Sequence, residues 1–164
     1  MLAAEFLGET TLPIPILLLR LAGAVLLCGL IGYERERTGK SAGFRTHMLV
    51  GLAAAAYALI TEELVGHFRD YGDSVRMDPV RLIEAVTAGI AFLAAGMIVL
   101  SKGSVKNLTT GAGLWLAAAV GLAVGNGQWV IAVPTALLGL AIVALRDPGE
   151  GKDDGDGTGG KVQD

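Results

Sequence analysis

Five apolar stretches, separated by short polar stretches, run along the chain. They cover residues 14–33, 44–64, 82–100, 108–124 and 129–145. Because an α-helix rises 1.5 Å per residue, about 20 apolar residues cross the roughly 30 Å hydrocarbon core of a bilayer. The last two stretches are short, and Gly125, Asn126 and Gly127 between them are typical of a tight turn. The pattern predicts an all-α fold: a polytopic membrane bundle of five transmembrane helices in one membrane domain, residues 14–146.

Composition agrees with a membrane protein and excludes other classes. Hydrophobic residues make up 52% of the chain and charged residues 18%, whereas a soluble domain is about a quarter charged. The single cysteine, Cys28, excludes a disulfide scaffold. A net charge of −3 argues against nucleic-acid binding. Residues 1–13 do not resemble a secretory signal, and the Gly/Asp-rich residues 147–164 are expected to form a disordered acidic tail.

Lysine and arginine positions predict the orientation in the membrane. The first and third loops and the C-terminal flank contain nine of them, and the second and fourth loops contain three. Since basic residues are enriched in cytoplasmic loops, we expect the N-terminus outside and the C-terminus in the cytoplasm.

Small residues in the spans predict close helix packing. Gly121 and Gly125 form a GxxxG pattern in the fourth span, and Gly89 and Gly96 lie seven residues apart in the third. Further glycines mark the first span: Gly23, Gly29 and Gly32. Helices in lipid associate through close backbone approach, so we expect these glycines to lie at helix contacts within a tight bundle.

Charged and polar residues on both sides of the first loop are the first candidate site. They are Glu34, Arg35 and Glu36 before the loop, and Arg45, Thr46 and His47 after it. If the first helix continues, Glu34 and Arg37 share a face; a solvated interfacial anchor is the alternative. Arg45 and His47 could turn inward. An isolated histidine is more often structural than a metal ligand, so we predict a structural His47.

A second group lies at the start of the third span. Asp78 is a good N-cap, and Pro79 suits the first helical position. Arg81 can reach both Asp78 and Glu84, which would give either a self-contained anchor or an external site for a cation or proton. Arg20 is another charge within a span. We expect it to pair with Glu84, and snorkelling to the membrane surface is the alternative.

The fourth span begins with Asn107, Thr109 and Thr110. We expect these polar groups to cap the helix, and binding of an anion is the alternative. Trp115 lies well inside the span and is expected to be a packing residue. The absence of a nucleotide-binding, metalloprotease or serine-hydrolase pattern argues against an enzyme. We therefore predict no catalytic residue, no cofactor and no metal site.

Three segments together resemble the MgtC/SapB family of bacterial inner-membrane proteins, over roughly residues 17–145. They are GYERER followed by AGFRTHMLV, then DPVRLIEAVTAGIAFLAAGMIV, and finally LTTGAGLWLAAAVGLAVGNG. Ala91 and Ala95 stand where the family usually has glycines, and Lys106-Asn107 stands where it often has Arg-Gly. These changes keep the side chains in the third span small, so the expected fold is unaffected.

The resemblance implies a non-enzymatic, multi-pass protein of the bacterial inner membrane. The family is linked to growth at low magnesium, acid resistance and survival inside macrophages, and better-known members add a soluble ACT-like domain that is not expected here. The implied partners are the lipid bilayer and another membrane protein, the F-type ATP synthase, with a homo-oligomer as a further possibility. A small transporter or channel for Mg²⁺ or protons is the alternative. The motif match transfers these positions: Glu34, Arg35, Glu36, Arg45, Thr46, His47, Asp78, Arg81, Glu84, Gly89, Phe92, Gly96, Thr109, Thr110 and Trp115.

Overall fold

The computed structural model describes residues 10–68, 78–101 and 104–145, which form five α-helices and one β-hairpin. The elements are α1 (Ile14–Arg37), α2 (Phe44–Phe68), α3 (Pro79–Met97), β1 (Val99–Ser101), β2 (Ser104–Lys106), α4 (Leu108–Gly125) and α5 (Trp129–Val143). Helices α1 to α4 are long and apolar enough to cross a membrane, and α5 is a shorter apolar helix. The predicted five-helix architecture is confirmed. The orientation stays a prediction, and the N-terminal segment and acidic tail lie outside the described residues.

The helix ends differ from the ends of the apolar stretches. Helix α1 continues past Tyr33 to Arg37, because Glu and Arg are strong helix formers even where the chain leaves the apolar stretch. Helix α3 begins at Pro79, and the Asp78 carboxylate accepts a hydrogen bond from the Val80 amide at 3.0 Å. The predicted N-cap is therefore confirmed, and it fixes the start of α3.

A short hairpin joins α3 to α4, and the apolar pattern did not predict it. Helix α3 ends at Met97, and β1 then pairs antiparallel with β2, with Leu100 opposite Val105. The side-chain amide of Asn107 donates to the Met97 carbonyl at 3.0 Å. This bond links the end of α3 to the start of α4, so the two helices turn back on each other.

Helix α4 is the centre of the bundle, where it packs against all four other helices. Most of its residues are buried, and its GxxxG glycines lie against small residues of α2. A Cβ added at Gly121 would lie 2.9 Å from the Gly51 Cα and 3.0 Å from the Ala54 Cβ. One added at Gly125 would lie 2.8 Å from the Ala55 Cα. The predicted close packing through these glycines is confirmed.

Helix α3 lies at the flank of the bundle and packs against α4 and the edge of α2. None of its residues from 80 to 97 is buried. The side facing the core is formed by Leu82, Val86, Ile90 and Met97. Within the described residues, a Cβ added at Gly89 or Gly96 would meet nothing within 4 Å. The expectation that these two glycines lie at helix contacts is therefore wrong for the single chain, because they are on the opposite side of the helix.

Candidate functional site

Three of the sequence segments meet at one end of the bundle. The last turn of α1, the first turn of α2 and the first turn of α4 bring together Arg35, His47 and Thr110. These are the buried polar side chains among the described residues, with exposed fractions of 4%, 0% and 0%. We call this group, with Thr109, the polar junction.

Arg35 supplies the charge of the polar junction. Its Nη2 donates to the Thr109 hydroxyl at 3.0 Å and reaches the Thr110 hydroxyl at 3.5 Å. Its Nε is buried without a hydrogen-bond partner. No carboxylate of the described residues forms an ion pair with this guanidinium. A buried positive charge therefore lies against two neutral hydroxyls, which is an energetically costly arrangement unless a negative group compensates it.

The first turn of α4 has no side-chain cap, contrary to the expectation. Asn107 adopts a left-handed conformation with φ of 64°, and its amide is used by the Met97 carbonyl. The hydroxyls of Thr109 and Thr110 accept hydrogen bonds from Arg35 instead. The first backbone amide of this turn with an acceptor is that of Gly111, which donates to the Asn107 carbonyl at 3.0 Å. In the described part of the chain, the amides of Leu108, Thr109 and Thr110 have none.

His47 is held in a pocket that glycines make. Its Nδ1 lies 2.9 Å from the Gly43 carbonyl and so donates to it, which leaves Nε2 as a buried acceptor without a partner. A Cβ added at Gly32 would lie 2.8 Å from the His47 Cβ, and one added at Gly113 would lie 3.1 Å from Nε2. His47 therefore turns inward and fills the space between α1 and α4.

The remaining polar residues around the first loop have separate roles. The Glu36 carboxylate accepts a hydrogen bond from the Phe44 amide at 2.8 Å and caps the start of α2. One oxygen of Glu34 is buried without a partner among the described groups, and Arg37 is exposed. Although both lie on α1, Glu34 and Arg37 form no ion pair. Arg45 is exposed rather than turned inward, and Thr46 is half-buried.

A second polar contact lies at the opposite end of the bundle. The Arg20 Nη1 lies 2.6 Å from a Glu62 carboxylate oxygen and donates to the Gly125 carbonyl at 2.8 Å. The predicted partner, Glu84, is wrong. Helix α1 packs against α2, α4 and α5, whereas α3 is on the other side of α4, so Glu62 of α2 is the acid that Arg20 meets.

Glu62 and Glu63 were missed by the sequence reasoning. The Glu63 carboxylate accepts hydrogen bonds from the amides of Thr11, at 2.8 Å, and Leu12, at 3.3 Å, just before α1 begins. The available signal was a pair of acids inside an otherwise apolar stretch. Acids in such a place are costly to expose to lipid and usually have a partner.

The candidate residues of α3 and the middle of α4 face outward. Within the described residues, Arg81 forms no ion pair with Asp78 or Glu84, so the predicted triad does not form. Phe92 is 84% exposed. Trp115 is 55% exposed, so it lies on the outer surface of the bundle and the expectation of a packing residue is wrong.

Comparison with known proteins gives one family and several relatives. The model of the MgtC family matches residues 21–151. "Putative magnesium transporter YhiD" of Escherichia coli is 32% identical over 78% of this chain and 59% of its own length. Protein MgtC of Brucella abortus is 40% identical over 78% of this chain and 50% of its own length. Protein SapB of Bacillus subtilis is 35% identical over 69% of this chain and 49% of its own length. The chain thus spans about half to three-fifths of these relatives. No solved structure matches it significantly.

Proposed function

The chain belongs to the MgtC family of membrane proteins, and from this premise we propose that it is a non-enzymatic regulator of another membrane complex. In this proposal it resides in the bacterial inner membrane and supports adaptation to low magnesium or acid stress. It does so by binding the membrane sector of a complex such as the F-type ATP synthase and restraining its activity.

The observation that supports this proposal is the outward surface of α3. Arg81, Glu84, Ala88, Ala91 and Ala95 are all exposed. Their spacings of three and four residues place them along one stripe of the helix, which we call the α3 seam. Alternating spacings of three and four residues suit packing against a second, nearly parallel helix. The α3 seam therefore has the geometry of a helix contact that the single chain leaves open.

Side-chain size distinguishes the α3 seam from a surface that faces lipid. Small side chains allow two backbones to approach closely, and such contacts hold membrane helices together. The outward surface of α5 instead presents large apolar side chains, including Val130, Leu138 and Ile142. Glu84 adds a charge that is costly to leave facing acyl chains and that a partner could neutralise. The α3 seam therefore fits a protein partner, and the α5 surface fits lipid.

ATP synthesis in inverted membrane vesicles tests the proposal. Vesicles are prepared from a deletion strain that carries the wild-type protein, Ala88→Trp or Val130→Trp, after growth across a magnesium titration. We expect the wild-type protein to lower ATP synthesis after growth at low magnesium and Ala88→Trp to lose this effect, because tryptophan blocks close approach at the α3 seam. Val130→Trp is the matched control, because Val130 is 87% exposed on α5, and it should act as the wild type does.

Transport of magnesium is the second candidate, which the name of the Escherichia coli relative favours. Proteoliposomes containing a magnesium-sensitive dye distinguish the two functions. Magnesium entry that depends on the protein and is lost in Glu84→Gln, together with unchanged ATP synthesis in the vesicles, would show that the protein transports magnesium and does not regulate ATP synthesis.

A further inference from the structure

We propose that the polar junction binds a phosphate group, between the Arg35 guanidinium and the first turn of α4. The proposal does not depend on the regulatory function, because it uses Arg35 and the first turn of α4 instead of the outward α3 seam, and a different readout. It assigns a ligand to three residues, Arg35, Thr109 and Thr110, that the regulatory proposal does not use.

The charge of Arg35 has no negative partner among the described residues. The side chain is 4% exposed, and the described residues provide it with two hydroxyls and no carboxylate. Arginine stays protonated in proteins, so the charge cannot be removed by loss of a proton. A charge buried in this way needs a negative partner, and Glu34, the adjacent residue of α1, does not form an ion pair with it.

Unpaired hydrogen-bond donors meet between Arg35 and the first turn of α4. The amides of Leu108, Thr109 and Thr110 lack acceptors among the described groups, and the positive end of the α4 dipole adds to the field. The buried Arg35 Nε also lacks a partner, while the same guanidinium bonds to the hydroxyls of this turn. Amides of a helix N-terminus beside an arginine form a common site for phosphate in proteins.

The groups of the polar junction favour an anion over a metal cation. The guanidinium and the amides donate hydrogen bonds, and the Thr109 and Thr110 hydroxyls can rotate to donate as well. A metal cation would be repelled by Arg35, and the described residues contain no group of three or more His, Cys, Asp or Glu side chains that could hold a metal ion. A tetrahedral oxyanion matches several donors at once, so phosphate chemistry fits the polar junction better than a cation does.

Access to the polar junction is through Thr109. Thr109 is exposed although Thr110 is fully buried, so a ligand can reach the first turn of α4 from outside the bundle. Lys106, two residues before this helix, is exposed and adds a positive charge near the entrance. Because the polar junction lies at the ends of three apolar helices, the phosphate could be inorganic phosphate or the headgroup of an anionic phospholipid.

Binding to the purified full chain tests the proposal in two arms. In the first, titration calorimetry in detergent measures binding of inorganic phosphate against chloride at the same ionic strength. In the second, native mass spectrometry counts the phosphatidylglycerol molecules that remain on the protein after release from nanodiscs of mixed phosphatidylcholine and phosphatidylglycerol. The variants are Arg35→Gln and Thr109→Val, and Arg37→Gln is the matched control, since it removes an exposed charge from the same turn of α1.

We expect phosphate affinity, or phosphatidylglycerol retention, to fall by about tenfold or more in Arg35→Gln and Thr109→Val. Arg37→Gln should change either quantity by less than about twofold, since it does not touch the site. Loss of phosphate affinity in the calorimetry arm identifies inorganic phosphate as the ligand. Loss of phosphatidylglycerol retention alone identifies the phospholipid headgroup as the ligand. If Arg35→Gln fails to fold, Thr109→Val decides, because Thr109 is exposed. No binding in either arm, or equal losses in Arg35→Gln and Arg37→Gln, would overturn the proposal.

Discussion

Gly121→Ala is expected to destabilise the folded chain by about 1–3 kcal/mol, although alanine is the better helix former. The added Cβ would lie 2.9 Å from the Gly51 Cα and 3.0 Å from the Ala54 Cβ, and it would also meet the Gly51 carbonyl. Backbone atoms cannot move aside as a flexible side chain can, so α2 and α4 must separate. Because contact with α4 holds every other helix, the loss should appear as a lower midpoint of thermal unfolding in detergent.

Gly89→Ala is the matched control for this substitution. Gly89 is also within a helix, but an added Cβ meets nothing within 4 Å in the described residues. We expect no loss of stability, and a gain of up to about 1 kcal/mol from helix propensity. The same one-carbon change should therefore move the unfolding midpoint in opposite directions at the two positions. Equal shifts would contradict the assignment of α4 to the centre and α3 to the flank.

Glu62→Gln is expected to lower the free energy of unfolding. Hydrogen bonds to charged groups contribute about 1.5–3 kcal/mol, and we expect a loss near the lower end of this range. The substitution removes the ionised partner of Arg20, whose Nη1 lies 2.6 Å from the carboxylate. The effect is at the lower end because the Glu62 side chain is 35% exposed. Arg20→Gln should have a larger effect, since the Gly125 carbonyl at the end of α4 also loses its donor.

A double-mutant cycle separates the observed pair from the expected one. Arg20 and Glu62 should show a coupling energy of about 1 kcal/mol, whereas Arg20 and Glu84 should be additive to within about 0.5 kcal/mol. Urea unfolding in a mild detergent, followed by circular dichroism, gives the four free energies of each cycle. Coupling of Arg20 with Glu84 in place of Glu62 would show that the helix order in the membrane differs from the one described.

The apolar stretches predicted the helices well, because the length of an apolar run directly reflects the thickness of the bilayer. Local signals also gave the start of α3, where Asp78 and Pro79 act within a single turn. The hairpin after Met97 was not predictable in this way. Val99 and Leu100 continue the apolar pattern of α3, and their strand conformation depends on pairing with β2.

Contacts between distant segments were harder to predict than the segments themselves. The sequence singled out Arg35, His47 and Thr109 separately, but only the packing of α1 and α2 against α4 brings them together. The same limit produced the wrong partner for Arg20. Both Glu62 and Glu84 lie near the predicted outer end of their helices, and depth in the membrane does not specify which helices are neighbours. Likewise, Trp115 is central in its span but faces outward.

Site-specific photo-crosslinking in living cells tests the central claim most directly, namely that the α3 seam is the surface by which the protein acts. A benzophenone amino acid replaces Phe92 in one variant and Val130 of α5 in the other. Phe92 is an exposed aromatic residue one helical turn from Ala88, so the substitution adds no bulk at the small residues of the α3 seam itself. We predict that the Phe92 variant forms an adduct with a membrane-sector subunit of the ATP synthase, more strongly after growth at low magnesium, and that the Val130 variant does not. Equal adducts from both positions, or adducts of the Phe92 variant with lipid alone, would contradict the account.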